Sequence, residues 1–338
     1  LPAGAKALQQ DNYDTTTAGI TGWSWIKNLD ATDSHILQDR VRGVYEYISS
    51  DSNAVQASNT NSVQRFLQQG VQIGSMDAVN TDSESFVNWQ WVGNGTGTSN
   101  SEGTNIVSTV SANTTAGFSI VKYTGTGTAG DSVGHGLGAV PKFILIKIYD
   151  TAAGARNWSV YHVSVGNTGA LRLDTTETTQ TSSAYFNDDG PNSTVFTLGT
   201  GSSDNSTNSN AKDYIAYVFS EVEGYSKFGK YFGNGSSDGT NVYLGFKPSF
   251  LLVKALGSAS WDLLDDARSP SNPVTKRIHP NTNETEATAG TTACDFLAQG
   301  FKWRDTKANE NSSGVTYVYA AFAENPFGGS NVAQAKAR

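Results

Sequence analysis

The chain has 338 residues with only 16% charged side chains and a formal net charge of -8. No basic stripe is visible, which excludes a duplex nucleic-acid binder, and no apolar run reaches the ~18 residues of a membrane span. A single cysteine, Cys294, excludes an internal disulfide framework and a Cys-based zinc site, and reads as a small buried side chain beside Phe296.

Gly is abundant at 35, Pro scarce at 8, and Asn, Ser and Thr crowd the gaps between apolar runs. Many short strands joined by polar turns give this profile. The first residue is Leu, so the chain is expected to be processed or part of something longer. Residues 1–21 lack apolar periodicity and read as an extended arm. A first β module follows over 22–92. It opens on Trp25-Ile26-Lys27, continues through Ser34 to Asp39 and closes on the aromatic run Phe86 to Trp91. Within it, Val63, Phe66 and Leu67 could share one face of a short helix over Asn61 to Gln69.

Residues 93–116 are nearly all Gly, Asn, Ser and Thr and read as a linker, with Ile106, Val107 and Val110 as material for one strand. The second module, 117–223, carries an opening hairpin from Gly117, then Leu145-Ile146-Lys147, Asn157 to His162, and Tyr214 to Phe219. The third, 224–329, repeats the order with Gly224 to Gly233, Leu252-Val253-Lys254, Ser260 to Asp265, Phe296 to Trp303, and Val315 to Phe322. Residues 330–338 form a polar tail. Several patterns recur in one order, with Lys27, Lys147 and Lys254 ending corresponding strands. The first module lacks a clear opening hairpin. The predicted fold is all-β: tandem antiparallel β-sandwich modules of jelly-roll or lectin-like type, with long Gly/Asn/Ser/Thr-rich loops.

No constellation of catalytic, cofactor-binding or metal-ligating residues emerges, and the ligand-binding residues stay unknown. His35, His135, His162 and His279 have no ligand spacing and read as polar ties between strands. Gly130-Asp131-Ser132-Val133-Gly134 matches a nucleophile elbow, but His135 to Pro141 cannot start the helix that motif needs. Gly125 to Gly130 matches a dinucleotide fingerprint and again lacks a helix to hold the pyrophosphate. The carboxylates Asp188-Asp189, Glu221-Glu223 and Asp265-Asp266 read as turns or architecture, since Asp265 and Glu221 recur as Asp39 and Glu324. Asp188-Asp189-Gly190 lacks the spaced oxygens of a calcium loop. Trp158, Trp261 and Trp303 could offer sugar-stacking faces, and a sandwich core explains them equally well.

The run Tyr214 to Gly229, Val133 to Gly138 with Pro141-Lys142-Phe143, and Ala323 to Phe327 resemble signatures of large virion proteins of marine tailed bacteriophages. Trp25 to Asn28 with Asp33-Ser34-His35 has the same look, and Leu1 to Leu8 resembles the junction after an upstream lectin-like sandwich. The resemblance implies a structural virion protein of tail-fibre or adhesin type with no enzymatic activity. It implies self-association, for example as a trimer, and contact with other virion proteins and a host cell-surface glycan. A capsid decoration, cement or head-fibre protein is the alternative, and a glycan depolymerase a second one.

Overall fold

The computed structural model describes residues 21–68, 70–200, 207–288 and 293–323. The expected arm up to residue 20, the tail 330–338 and Glu324 lie outside the described residues. The described part is all-β, and its strand pairs are antiparallel. Its two helices, Asp77–Asn80 and Ser183–Phe186, are single turns, and no helix among the described residues is long and apolar enough to cross a membrane.

Three sheets organise the chain. In the first, Thr21–Asn28 lies between Ile36–Asp39 and Phe86–Val92. The second runs Ser159–His162, Pro141–Ile148, Asp213–Ser220, Phe118–Thr124, Ser108–Asn113 and Thr98–Asn100. The third runs Trp261–Asp265, Phe250–Ala255, Thr316–Phe322 and Ser226–Phe232. β-Branched and aromatic residues dominate the central strands because both faces are covered, as in Asp213–Ser220, where all but the first residue are buried.

The registers of the three sheets correspond residue for residue. Lys27 stands opposite Val87, Lys147 opposite Ile215, and Lys254 opposite Val318. Four positions earlier, Trp23, Phe143 and Phe250 face Asp39, His162 and Asp265 on one side. On the other side they face Trp91, Phe219 and Phe322. The three lysines therefore occupy one place in three sheets of the same order.

These sheets do not lie in a row. Their inner faces meet in one continuous core extending from Trp23 to Ala323. At its centre the equivalent rings Trp91, Phe219 and Phe322 form a triangle. Centroid separations are 6.1, 5.8 and 5.4 Å, and each ring is edge-on to the next, the geometry that the aromatic quadrupole favours. In the first two sheets the alternate residues of these strands point outward. Ile144, Ile146 and Ile148 pack under the loops of the second sheet with Tyr185, Phe186 and Phe196. Ile26 and Ile36 pack under the hairpin carrying Val63, Phe66 and Val71.

The seams are stitched by repeated backbone bonds. Gln56 N–H donates to Tyr149 O, Thr179 N–H to Leu256 O, and Glu286 N–H to Leu29 O. The donors lie in the first, second and third units and the acceptors in the second, third and first. The three units close into a ring around one shared core.

Two local expectations change. The segment expected as a helix is the strand Val63–Leu67, hairpinned to Gly70–Ile73; Gln69 lies outside the described residues. A register shift between Val63 and Arg65 resets the alternation, so Val63 and Phe66 reach one face at a spacing that mimics a helix. Much of the expected 93–116 linker is sheet: Ser108–Asn113 and Thr98–Asn100 extend the second sheet, with Val110 buried and Val107 65% exposed.

Candidate functional site

The aromatic residues that suggested sugar stacking are interior. Trp158, Trp261 and Trp303 are at most 2% exposed, which removes them as open platforms. Trp158 and Trp261 instead close seams. The indole N–H of Trp158 donates to Ser49 O at 2.9 Å, and that of Trp261 to Arg172 O at 2.8 Å. His35 takes the same place in the first sheet, its Nε2 lying 3.3 Å from His279 O. Trp25 Nε1–H donates to His35 Nδ1, so the proton sits on Nε2 and points at that carbonyl. The backbone N–H groups of His35, Trp158 and Trp261 donate to the side chains of Asp51, Asp174 and Asn281, respectively.

His35 and His162 occupy different places in their sheets. His162 stands where Asp39 and Asp265 stand, and all three serve the seams. Asp39 accepts from Tyr217 Oη–H at 2.9 Å, Asp265 accepts from Trp89 Nε1–H at 3.2 Å, and His162 Nε2 donates to Tyr319 O at 3.0 Å. Arg42 and Arg268 clamp the two aspartates at 2.6 Å. Burial holds His162 at about 4, and burial with the nearby Lys27 charge holds His35 at about 3, so both imidazoles are neutral.

The recurring lysines are fully buried. Lys147 Nζ donates to Asn53 O and Arg156 O, crossing the seam to the first unit. Lys27 uses Asn28 O and Ala31 O, and Lys254 uses Ala255 O and Gly257 O. Burial brings Lys147 and Lys254 down to about 8 and lowers Lys27 as well. Carbonyl cages of this kind fix loops to strand ends.

The motif candidates fall in structural settings. Ser132 lies in the strand Ser132–Gly134, where its hydroxyl accepts from Thr104 N–H at 3.0 Å, and no helix follows. After Phe118–Thr124 the Gly125 to Gly130 loop wraps Asn208, whose Oδ1 accepts from Thr126 N–H at 2.7 Å. Asp188 sits in a left-handed turn, and Asp189 accepts from Thr197 at 3.0 Å. His135 Nε2 bonds Asn192 O at 3.1 Å. Cys294 is buried in the central core together with Phe296. No three His, Cys, Asp or Glu among the described residues are arranged to hold a metal ion.

An ionic network is buried in the third unit. Arg277 lies 2.9 Å from Glu310, 3.6 Å from Asp262 and 3.7 Å from Asp305, while His279 bonds Asp262 at 2.6 Å. Burial opposes charge on Asp262, but its bonds to His279 and Glu310 win and hold its carboxyl low. Burial and the Asp262 charge push Glu310 well above the usual carboxylate range. The corresponding residues are Ile36 and Tyr47 in the first sheet, and Ser159 and Ala170 in the second. A charged residue at a position held by Ile36 elsewhere was the one available signal.

A groove of about 730 Å³ lies open beside Ser226–Phe232, lined by Glu221, Glu223, Ser226, Lys227, Tyr243 and Gly245. Tyr243 is 68% exposed, with Lys227 Nζ 5.4 Å from its ring centroid. The expected Glu221-Glu223 pair is thus at a groove rim and not in a solvated turn alone.

With this geometry in place, comparison with known families gives one assignment: residues 9–326 match the model of a domain of unknown function, DUF7483. The chain belongs to the DUF7483 family. No curated protein and no solved structure matches it. The match spans all three sheets, so the DUF7483 unit corresponds to the whole ring and not to one of its thirds.

Proposed function

We propose that this chain is a structural component of a tailed-bacteriophage virion, an appendage of tail-fibre or adhesin type that works by assembly and not by catalysis. The observation that carries this reading is the use made of the recurring polar side chains. His35, Trp158 and Trp261, with Asp39, His162 and Asp265, are spent on closing one ring. An active site needs such groups to converge on an open cleft. The motif resemblance over most of the chain supplies the virion context.

A head decoration role is the second reading. A compact ring of three equivalent sheets suits a cap on a symmetric shell at least as well as a shaft. Labelling the chain in purified phage particles and counting copies tests both. A few copies at the tail support the appendage, and many on the shell support decoration. Absence from particles together with release of reducing ends from host polysaccharide would overturn both.

A further inference from the structure

The second and third sheets differ at one edge. In the second, Phe118–Thr124 is covered by Ser108–Asn113, which is covered in turn by Thr98–Asn100. In the third, the corresponding strand Ser226–Phe232 ends the sheet among the described residues. The correspondence is close. Phe118 and Ser226 stand opposite Phe219 and Phe322. Tyr123 and Tyr231 each stack at 5.1 Å, on Tyr214 and Tyr317, and their hydroxyls donate to Thr207 O and Glu310 O.

The groove lies where the second sheet holds its extra strand. There, a Cβ on Gly136 would come within 3.0 Å of the Val110 side chain and 3.4 Å of Ala112, so the strand fills the space up to that turn. In the third sheet the space between Ser226-Lys227 and Tyr243–Gly245 is open. The two ends of this edge are engaged within the chain, Ser226 N–H donating to Val222 O and Phe232 O accepting from Thr240 Oγ1, which leaves its middle. Phe228 N–H meets the Glu221 carboxylate at 3.4 Å, the long limit of a hydrogen bond. Its counterpart Ile120 is paired with Ser111. Strand alternation turns the N–H and C=O of Lys230 to the same side. Lysines on an edge commonly discourage pairing, but Lys122 holds the equivalent place and still pairs with Thr109.

We propose that Ser226–Phe232 and its groove bind an extended strand of another polypeptide by antiparallel β-addition. The bound strand resembles Ser108–Asn113 in chemistry: uncharged, with small, hydroxyl-bearing and β-branched side chains and no proline. Main-chain bonds supply the affinity, and the narrow groove beside Tyr243 selects small side chains. This inference stands independently of the virion reading.

The test titrates the isotope-labelled full chain with a synthetic peptide of the 107–114 sequence. Binding should slow exchange of the Phe228 and Lys230 amides at least about tenfold. Lys230→Pro, which removes an N–H that the sheet does not use, should weaken binding about tenfold. A peptide with proline in place of Ser111 should lose binding to the same degree, which keeps the test decisive if Lys230→Pro folds poorly. Absence of binding up to about 1 mM, or binding indifferent to both prolines, overturns the proposal. Self-association of the chain abolished by Lys230→Pro would place a second copy in the groove and overturn the foreign strand.

Discussion

The indole N–H of Trp158 donates to the carbonyl oxygen of Ser49 at 2.9 Å, across the seam between the second and first units. Trp261 with Arg172 and His35 with His279 repeat the relation at the other two seams. One contact type, used three times, closes the chain on itself.

Trp158→Phe keeps an aromatic ring but removes the donor and part of the indole, leaving a buried carbonyl unpaired. The expected loss is about 1–3 kcal/mol in urea denaturation. Trp261→Phe should cost a similar amount. A loss confined to one of the two would show that the seams are not equivalent.

Phe219 is one vertex of the central aromatic triangle. Phe219→Ala should cost about 3–5 kcal/mol. Because the core is shared, tryptophan fluorescence and far-ultraviolet dichroism should report one coincident transition. Three separable transitions, with only one displaced, would mean independent modules.

Much of this was legible beforehand. The order of strands, the place of Lys27, Lys147 and Lys254, and the link between Asp39 and Asp265 follow from local pattern, because register is set by alternation. Ring closure was not legible, since Gln56 and Tyr149 are distant in sequence and their bond is between backbones. The buried network around Arg277 was hidden for a related reason. Asp262, Arg277 and the loop carrying Asp305 and Glu310 come from separate segments, each resembling an ordinary polar stretch. The groove escaped notice because it arises from a strand that the third sheet lacks.

His162 is held neutral by burial, at about 4 against an ordinary 6.5. Its folded value lies below the unfolded one, so its contribution is complete above 6.5 and is lost as pH falls toward 4. Against a His162→Gln reference, the wild-type chain should lose about 3 kcal/mol across this window. Urea denaturation of both proteins at several pH values measures it. A constant difference would show that His162 titrates normally.

Burial and the Asp262 charge favour the neutral Glu310 carboxyl, so Glu310→Gln should change stability at pH 7 by less than about 1 kcal/mol. Arg277→Leu strands buried carboxylate charge and should cost about 3–5 kcal/mol. Thermal and urea denaturation of the two variants distinguish them. A Glu310→Gln loss as large as that of Arg277→Leu would mean that Glu310 is ionised.

The closed ring is tested most directly by site-resolved hydrogen exchange at Gln56, Thr179 and Glu286, whose amides each cross one seam. All three should exchange only through global unfolding, with equal opening free energies. Rapid exchange at Glu286 while Gln56 and Thr179 stay protected would mean that the third unit does not return to the first, and the ring would be an open row.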